Sequence, residues 1–291
     1  GGGGFSGLIE FGDDALLALC TDGVGSKLML AAEMRAYEGV GMDCVAMNVN
    51  DLLCVGAEPL AFVDYVATPR PDPEVHASLG RSLRRACDAA RVTLCGGETA
   101  TLPDMVKELD MSGTALGWVR RGDQLDGRRV EPGRDVLVGI PSSGTHSNGY
   151  SLVRKVLEVA GVSLTESSPF EADEHRSFVR AGGPIVRNPS MDQENLLTIG
   201  EVFLNPTHIY VDPIVSLLDA AREGQPGAPC SYSDIKGMFH ITGGGLTNLL
   251  RLRKDLGFRI REPLPVPPEM VWLQSKGKIT NAEMYRTFNM G

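Results

Sequence analysis

Thr21-Asp22-Gly23-Val24-Gly25-Ser26-Lys27 joins an apolar run, Ala15 to Cys20, to a second apolar run that opens at Leu28. The first run predicts a buried strand and the second predicts the first turns of a helix. An Asp, two Gly and a Lys therefore sit where a strand hands over to a helix. Such a place exposes backbone N–H groups and favours an anion. Asp22 suits a metal ion, Lys27 suits a phosphate, and glycine lets backbone approach a ligand closely. The Walker spacing G-x-x-x-x-G-K-[ST] is absent. Taken alone the segment is also an ordinary turn, since Asp and Gly are turn residues, so the rest of the chain has to decide.

Working outward, Gly1-Gly2-Gly3-Gly4-Phe5-Ser6-Gly7 reads either as a loose end or as a loop whose N–H groups fold over phosphates. Downstream, Gly39 to Leu53 predicts a buried helix carrying Asn48, Asn50 and Asp51. Polar groups in such a helix need partners. Asp43 is read as a cap of its start, whereas Asp51, deep in the helix, is either paired or a metal ligand. Leu60 to Ala67 predicts a strand. Asp72-Pro73 opens an amphipathic helix to Ala90, with Asp72 as N-cap. Val92 to Cys95 predicts a strand ending in a second glycine-rich junction, Gly96-Gly97-Glu98-Thr99-Ala100, and Met111 to Arg120 predicts another. This alternation is α/β.

The charged stretch from Arg120 to Gly133 divides the chain into residues 1–125 and 126–291. In the second part a strand is expected at Asp135–Ile140. The donor-rich loop Pro141 to Tyr150 follows, containing His146, Ser147 and Asn148, and then a helix to Ala160. Hydroxyls and amides at a helix start suit phosphate oxygens. His146 there is as readily structural as functional. Residues 162–205 lack a sustained period and read as an insertion or flap. Further helices are expected at Pro213–Glu223 and Glu269–Gly277. A fourth glycine junction, Gly237 to Gly245 with His240-Ile241-Thr242-Gly243-Gly244-Gly245 at its end, reads as strand-like and then helical and lies between them.

The 291 residues are 42% hydrophobic and carry a net charge of −9, which argues against nucleic acid as main partner. Neither a membrane span nor a secretory leader is expected, so the cytoplasm is the default compartment. The six cysteines form no C-x-x-C pair and read as free thiols rather than as disulfides or a zinc site.

Four oxygen-bearing glycine junctions in one acidic chain describe a cleft for phosphates and divalent ions. Their motifs carry a resemblance. TDGVGSK from Thr21, MNVNDLLCVGAEPL from Met47, CGGETATLP from Cys95, SSGTHSNGYSLVRK from Ser142, HITGGG from His240 and EMYRTFNMG from Glu283 resemble, in order and spacing, the phosphoribosylformylglycinamidine cyclo-ligase (aminoimidazole ribonucleotide synthetase) family of the PurM-like superfamily. The resemblance covers the chain except roughly residues 162–205. It implies an α/β (α+β) fold of two domains. The N-terminal sheet would pair across a homodimer into a barrel, with an α/β C-terminal domain and ATP in the cleft between them. It also implies that ATP phosphorylates the formamide oxygen of formylglycinamidine ribonucleotide. A nitrogen of the same molecule then closes the imidazole ring as phosphate leaves, giving 5-aminoimidazole ribonucleotide for purine synthesis.

On that resemblance Asp22, Asp51 and Glu98 are expected to hold Mg²⁺. Gly1 to Gly4 (Gly1, Gly2, Gly3, Gly4), Gly23 and Lys27 would contact ATP phosphates, with Gly97 and Thr99 beside them. Ser147 and Asn148 would meet substrate or the transferring phosphate. His146 would handle a proton, together with Asp51 as the second catalytic group, and Thr242, Gly243 and Gly244 would line the far side. Relatives also continue beyond both ends of this chain, which reads as truncated, and some are parts of multifunctional chains. The rivals are another ATP-dependent enzyme of the same fold, such as formylglycinamidine ribonucleotide synthase or selenophosphate synthetase, and a silent nucleotide-binding domain.

Overall fold

The computed structural model describes residues 4–169 and 197–291. Its frame is one five-stranded sheet, in the order β1-β2-β5-β3-β4. The strands are β1 (Gly7–Phe11), β2 (Ala15–Gly23), β3 (Glu58–Thr68), β4 (Thr93–Thr101) and β5 (Asp110–Arg120). All neighbours are antiparallel except β3 and β4, which run parallel around the crossover helix α3 (Pro73–Ala89). Asp72 caps α3 as expected, accepting from Glu74 N and Val75 N.

Alternation gives the sheet two faces. On β2, Leu16, Ala18 and Cys20 are buried on one face, while Leu17, Leu19 and Thr21 lie on the other. Helix α2 (Val40–Cys54) covers the first face. It is buried nearly all round, its polar residues Asp43, Asn48 and Asn50 included, because α3 and α6 (Val211–Glu223) lie against it as well as the sheet. Gly41 permits the α2–α3 crossing, since a Cβ there would sit 2.4 Å from Leu83 N. Ser82 of α3 serves the start of α2, its Oγ accepting from Gly41 N at 3.0 Å and Met42 N at 3.3 Å. Asp43 is therefore not the cap that its position suggests, and makes no capping bond.

Helix α1 (Lys27–Met34) belongs to two cores. Leu28 and Ala31 pack with the sheet and α2. Leu30 and Met34 pack into a second core with α4 (Tyr150–Ala160), α5 (Ile199–Phe203), α7 (Pro268–Gly277) and α8 (Asn281–Thr287). Each fully buried aliphatic side chain contributes about 1.5–3 kcal/mol, so α1 fastens the two halves together along its length.

Three expectations change. The Gly96–Ala100 junction lies within β4, paired with β3 from Thr93 to Thr101, rather than in a loop. Sheet pairing overrides the breaking tendency of Gly96-Gly97, and Gly97 has a packing reason: a Cβ there would meet Asp64 Oδ1 at 2.3 Å. Residues 135–140 form no hydrogen-bonded strand among the described residues, and Val136 is 85% exposed. Apolar alternation alone does not hold a strand whose backbone has no neighbour. The Gly237–Ile241 stretch likewise stays irregular and leads into a 3-10 helix, Gly245–Arg251. Most of the 162–205 segment, and Gly1 to Gly3, lie outside the described residues.

Candidate active site

Asp22 is the penultimate residue of β2, on the helix-covered face. The chain then turns through Val24 and Gly25, the latter with φ +70°, into α1. Facing this turn, Gly149 with φ +77° delivers the 142–149 loop into α4. A cleft of about 450 Å³ lies between the two, lined by Asp22 to Ser26 on one wall and Ser147 to Leu152 on the other, with Met47, Glu283 and Thr287 closing it. Both helix starts lack a side-chain cap. Leu28 N and Met29 N are taken by the Gly25 and Ser26 carbonyls and Leu152 N by that of Gly149, so it is the foremost N–H groups, those of Tyr150 and Ser151 on α4 and Lys27 on α1, that are left for a ligand. The hydroxyls of Ser26 and Ser151 stand 3.4 Å apart across the cleft. Among the described residues no Lys or Arg lines it. Positive potential there comes from the two helix dipoles.

Asp22 accepts Gly23 N at 2.7 Å through Oδ1. Burial raises its pKa; the Gly23 N–H opposes this and the Asp51 charge adds to it. Ser147 donates to Val24 O at 2.9 Å, which ties one wall to the other. Asn148 stands beside Gly243, whose added Cβ would lie 3.1 Å from Asn148 Oδ1. Thr242 and Gly244 sit in the same turn, where Thr242 Oγ1 donates to Asn248 at 3.4 Å. The HITGGG turn thus backs the cleft through Asn148 instead of lining it.

Lys27 is not a cleft residue. Its side chain is 1% exposed, and Nζ lies 2.8 Å from Asp43 Oδ2, 2.8 Å from His146 O and 2.7 Å from Asn205 O. All of its donors are used, so it has none for a phosphate, and the phosphate reading of Lys27 is corrected. Burial lowers the Lys27 pKa and raises that of Asp43, and each is opposed by the other's charge.

His146 is also enclosed. Its Nε2 accepts from Ser143 N at 3.0 Å, and its Nδ1 is buried without a partner. Burial first, and then the neighbouring His240, Lys27 and His208 charges, drive its pKa well below 6.5. Enclosed, with Nε2 taken by Ser143 N and with no part in the cleft lining, it shapes the loop, and the structure does not place it where the proton-handling reading needs it.

The three expected metal ligands do not all come together: the Asp51 charge reaches Asp22, but Glu98 stands apart. Asp22, Gly113, Asp64 and Gly97 form one row across the sheet, whereas Glu98 pairs with Tyr65 in the next row, on the opposite, exposed face. Asp51 bonds His240 through Oδ1 at 2.8 Å. Among the described residues no group of three or more His, Cys, Asp or Glu is close enough to hold a metal ion. Thr99 lies with Glu98 on the edge strand β4, away from the cleft lining.

The reading of the motifs passed over Ser26, Ser151, Glu283 and Thr287. The last two stand four apart on α8, joined by a 3.2 Å hydrogen bond, a helical spacing visible in the EMYRTFNMG motif.

Two family models match the chain. The AIR synthase related protein, N-terminal domain, matches residues 3–119, and the AIR synthase related protein, C-terminal domain, matches residues 132–291. The chain is therefore a mixed α/β protein of the AIR synthase related class. A phosphoribosylformylglycinamidine cyclo-ligase of Methanosarcina acetivorans is 43% identical over 289 residues, 99% of this chain and 75% of the relative. That of Methanothermobacter thermautotrophicus is 42% identical over 291 residues, 100% of this chain and 75% of the relative. The chain belongs to the phosphoribosylformylglycinamidine cyclo-ligase family. Among solved structures, thiamine monophosphate kinase from Aquifex aeolicus matches with a TM-score of 0.57 at 16% identity, over 97% of this chain and 78% of that one. A likeness at that identity speaks to the fold alone. Among the described residues no helix is long and apolar enough to cross a membrane.

Proposed function

We propose that this chain catalyses the reaction for which its relatives are named, the ATP-dependent closure of formylglycinamidine ribonucleotide to 5-aminoimidazole ribonucleotide. The observation that carries the reading is the pair of uncapped helix starts facing each other across one cleft, with Ser26 and Ser151 at its mouth. An amide oxygen is a poor leaving group. The formamide oxygen attacks the γ-phosphorus of ATP and ADP leaves. The amide carbon is then attacked by a nitrogen of the same molecule, the bond to the phosphorylated oxygen breaks, and phosphate departs with its electron pair. Such transfer needs positioning and charge neutralisation more than a protein nucleophile. The open N–H groups and the Ser26, Ser147 and Ser151 hydroxyls suit the first need, and Asn148 orients the substrate.

Magnesium would fit this cleft through Asp22, which lines it and commits Oδ1 to Gly23 N. Held at Asp22, such an ion would supply charge neutralisation for the phosphates. The open sheet face, with Ile9, Leu19, Val63 and Tyr65 exposed and Leu17 half-buried, is proposed to pair with a second copy.

The deciding experiment follows ADP release with formylglycinamidine ribonucleotide and ATP. The expected result is ADP formed in step with 5-aminoimidazole ribonucleotide. A folded protein that releases no ADP with this substrate rules the proposal out.

A further inference from the structure

Lys27 and Tyr150 occupy equivalent places, each the first residue of a helix whose start forms a wall of the cleft. Their side chains turn away from the cleft and meet beneath it, with Lys27 Nζ 5.5 Å from the centre of the Tyr150 ring. From there the ammonium reaches Asp43 of α2, the carbonyl of His146 and the carbonyl of Asn205. One cation thus joins both walls and the segment before α6.

The His146 carbonyl is the informative contact. His146 has φ +57°, a left-handed conformation that non-glycine residues seldom hold without surrounding restraint. The restraint comes from two directions. Ser143 N donates to the His146 ring at 3.0 Å, and Lys27 donates to its carbonyl at 2.8 Å. The bend at His146 turns the next two residues, Ser147 and Asn148, into the cleft lining. Asp43 is held in turn, accepting from Thr207 N at 2.7 Å and Thr207 Oγ1 at 2.6 Å.

A buried ion pair is a weak device for stability, because apolar replacements of similar volume are often as stable. Here the cation is buried between two loops that must keep a fixed spacing, and its donors go to backbone carbonyls as well as to the carboxylate. We infer that Lys27 is a positioning residue for catalysis: it holds the His146 bend and so sets the placement of Ser147 and Asn148 against the helix starts. This deepens, and rests on, the ring-closure reading of the same cleft.

The test compares Asp43→Asn with Lys27→Met/Asp43→Asn. Both remove the carboxylate and keep an acceptor for Thr207, but only the second removes the reach to His146 O. Thermal midpoint, kcat and KM for ATP are measured, and ATP binding is measured by calorimetry. Positioning predicts that the folded double variant loses on the order of tenfold to a hundredfold in kcat/KM relative to Asp43→Asn, with weakened ATP binding. Kinetics and ATP binding within twofold of Asp43→Asn overturn the inference. If the double variant does not fold, Lys27→Arg, which keeps the charge but changes the reach, asks the same question: unchanged kinetics overturn the inference and a tenfold loss supports it. Absence of turnover in the wild type refutes the ring-closure reading instead, and ATP binding still decides the role of Lys27.

Discussion

His240 Nδ1–H donates to Asp51 Oδ1 at 2.8 Å, joining the middle of α2 to the glycine turn of the C-terminal half. Both side chains are largely enclosed, and the other ring nitrogen, Nε2, is buried without a partner. Cys20 Sγ contacts the second carboxylate oxygen at 3.8 Å. Asp51 thereby fixes which nitrogen carries the hydrogen and how the ring lies. A hydrogen bond to a charged group is worth about 1.5–3 kcal/mol. A double-mutant cycle on Asp51→Asn and His240→Gln should return a coupling of that size from denaturant unfolding. Turnover of Asp51→Asn should fall at least about tenfold, a barrier change of ~1.4 kcal/mol. Additive single mutants would show that the two residues act separately.

The pH dependence of stability should report His146. Its folded pKa lies well below the 6.5 of an unconstrained histidine because the folded protein buries it. Below pH ~6.5 the unfolded chain binds a proton that the folded chain refuses. This contribution is fully present above ~6.5 and is lost as pH falls from there toward the folded pKa. His146→Asn should flatten that part of the stability profile between pH ~5 and ~6.5, as read by urea midpoints. An unchanged profile would assign the acid lability to other groups.

Gly113 carries a stability prediction close to the site. It separates Asp22 from Asp64 in one row of the sheet, and an added Cβ would lie 2.1 Å from Phe62 Cζ. Phe62 is fully buried and has no room to withdraw. Gly113→Ala should cost about 1–3 kcal/mol through overpacking, lowering the thermal midpoint by several degrees. A midpoint equal to wild type would mean that the ring finds another rotamer.

These positions also explain what was legible in the chain before folding. The strand-to-helix handover at Thr21–Lys27, the buried helix after Gly39 and the Asp72 cap depend on neighbours within a few residues, and local pattern suffices for them. The direction of Lys27 does not. Its partners are Asp43, His146 and Asn205, and the two carbonyls enter the sequence only as backbone, so no residue type announces them. Glu98 shows a different loss. Gly96-Gly97 reads as a break, but pairing with β3 carries the strand through it, and strand alternation then places Glu98 on the face away from Asp22. The cleft itself was half legible: Asp22, Ser147 and Asn148 stand out by type, whereas Ser26 and Ser151 matter through helix starts that meet only in the fold.

The last prediction concerns the bare face of the sheet. Antiparallel sheets commonly turn polar residues to water on their solvated side. Here Ile9 and Leu17 pair across β1 and β2, Leu19 is 45% exposed, and Val63 and Tyr65 continue the apolar surface on β3. A monomer seldom leaves a contiguous apolar face of that extent uncovered. A second copy applied by a two-fold axis would bury the same residues on both chains. Leu19 lies on the second strand of this face, flanked by β1 and β5, so a charge there would be placed inside any such interface. Wild-type protein should have the mass of a dimer in light scattering at micromolar concentration, and Leu19→Glu should have that of a monomer with the same far-ultraviolet circular dichroism. A Leu19→Glu protein that remains a dimer would move the interface off this face. Monomeric wild type would leave the face to a partner of another kind.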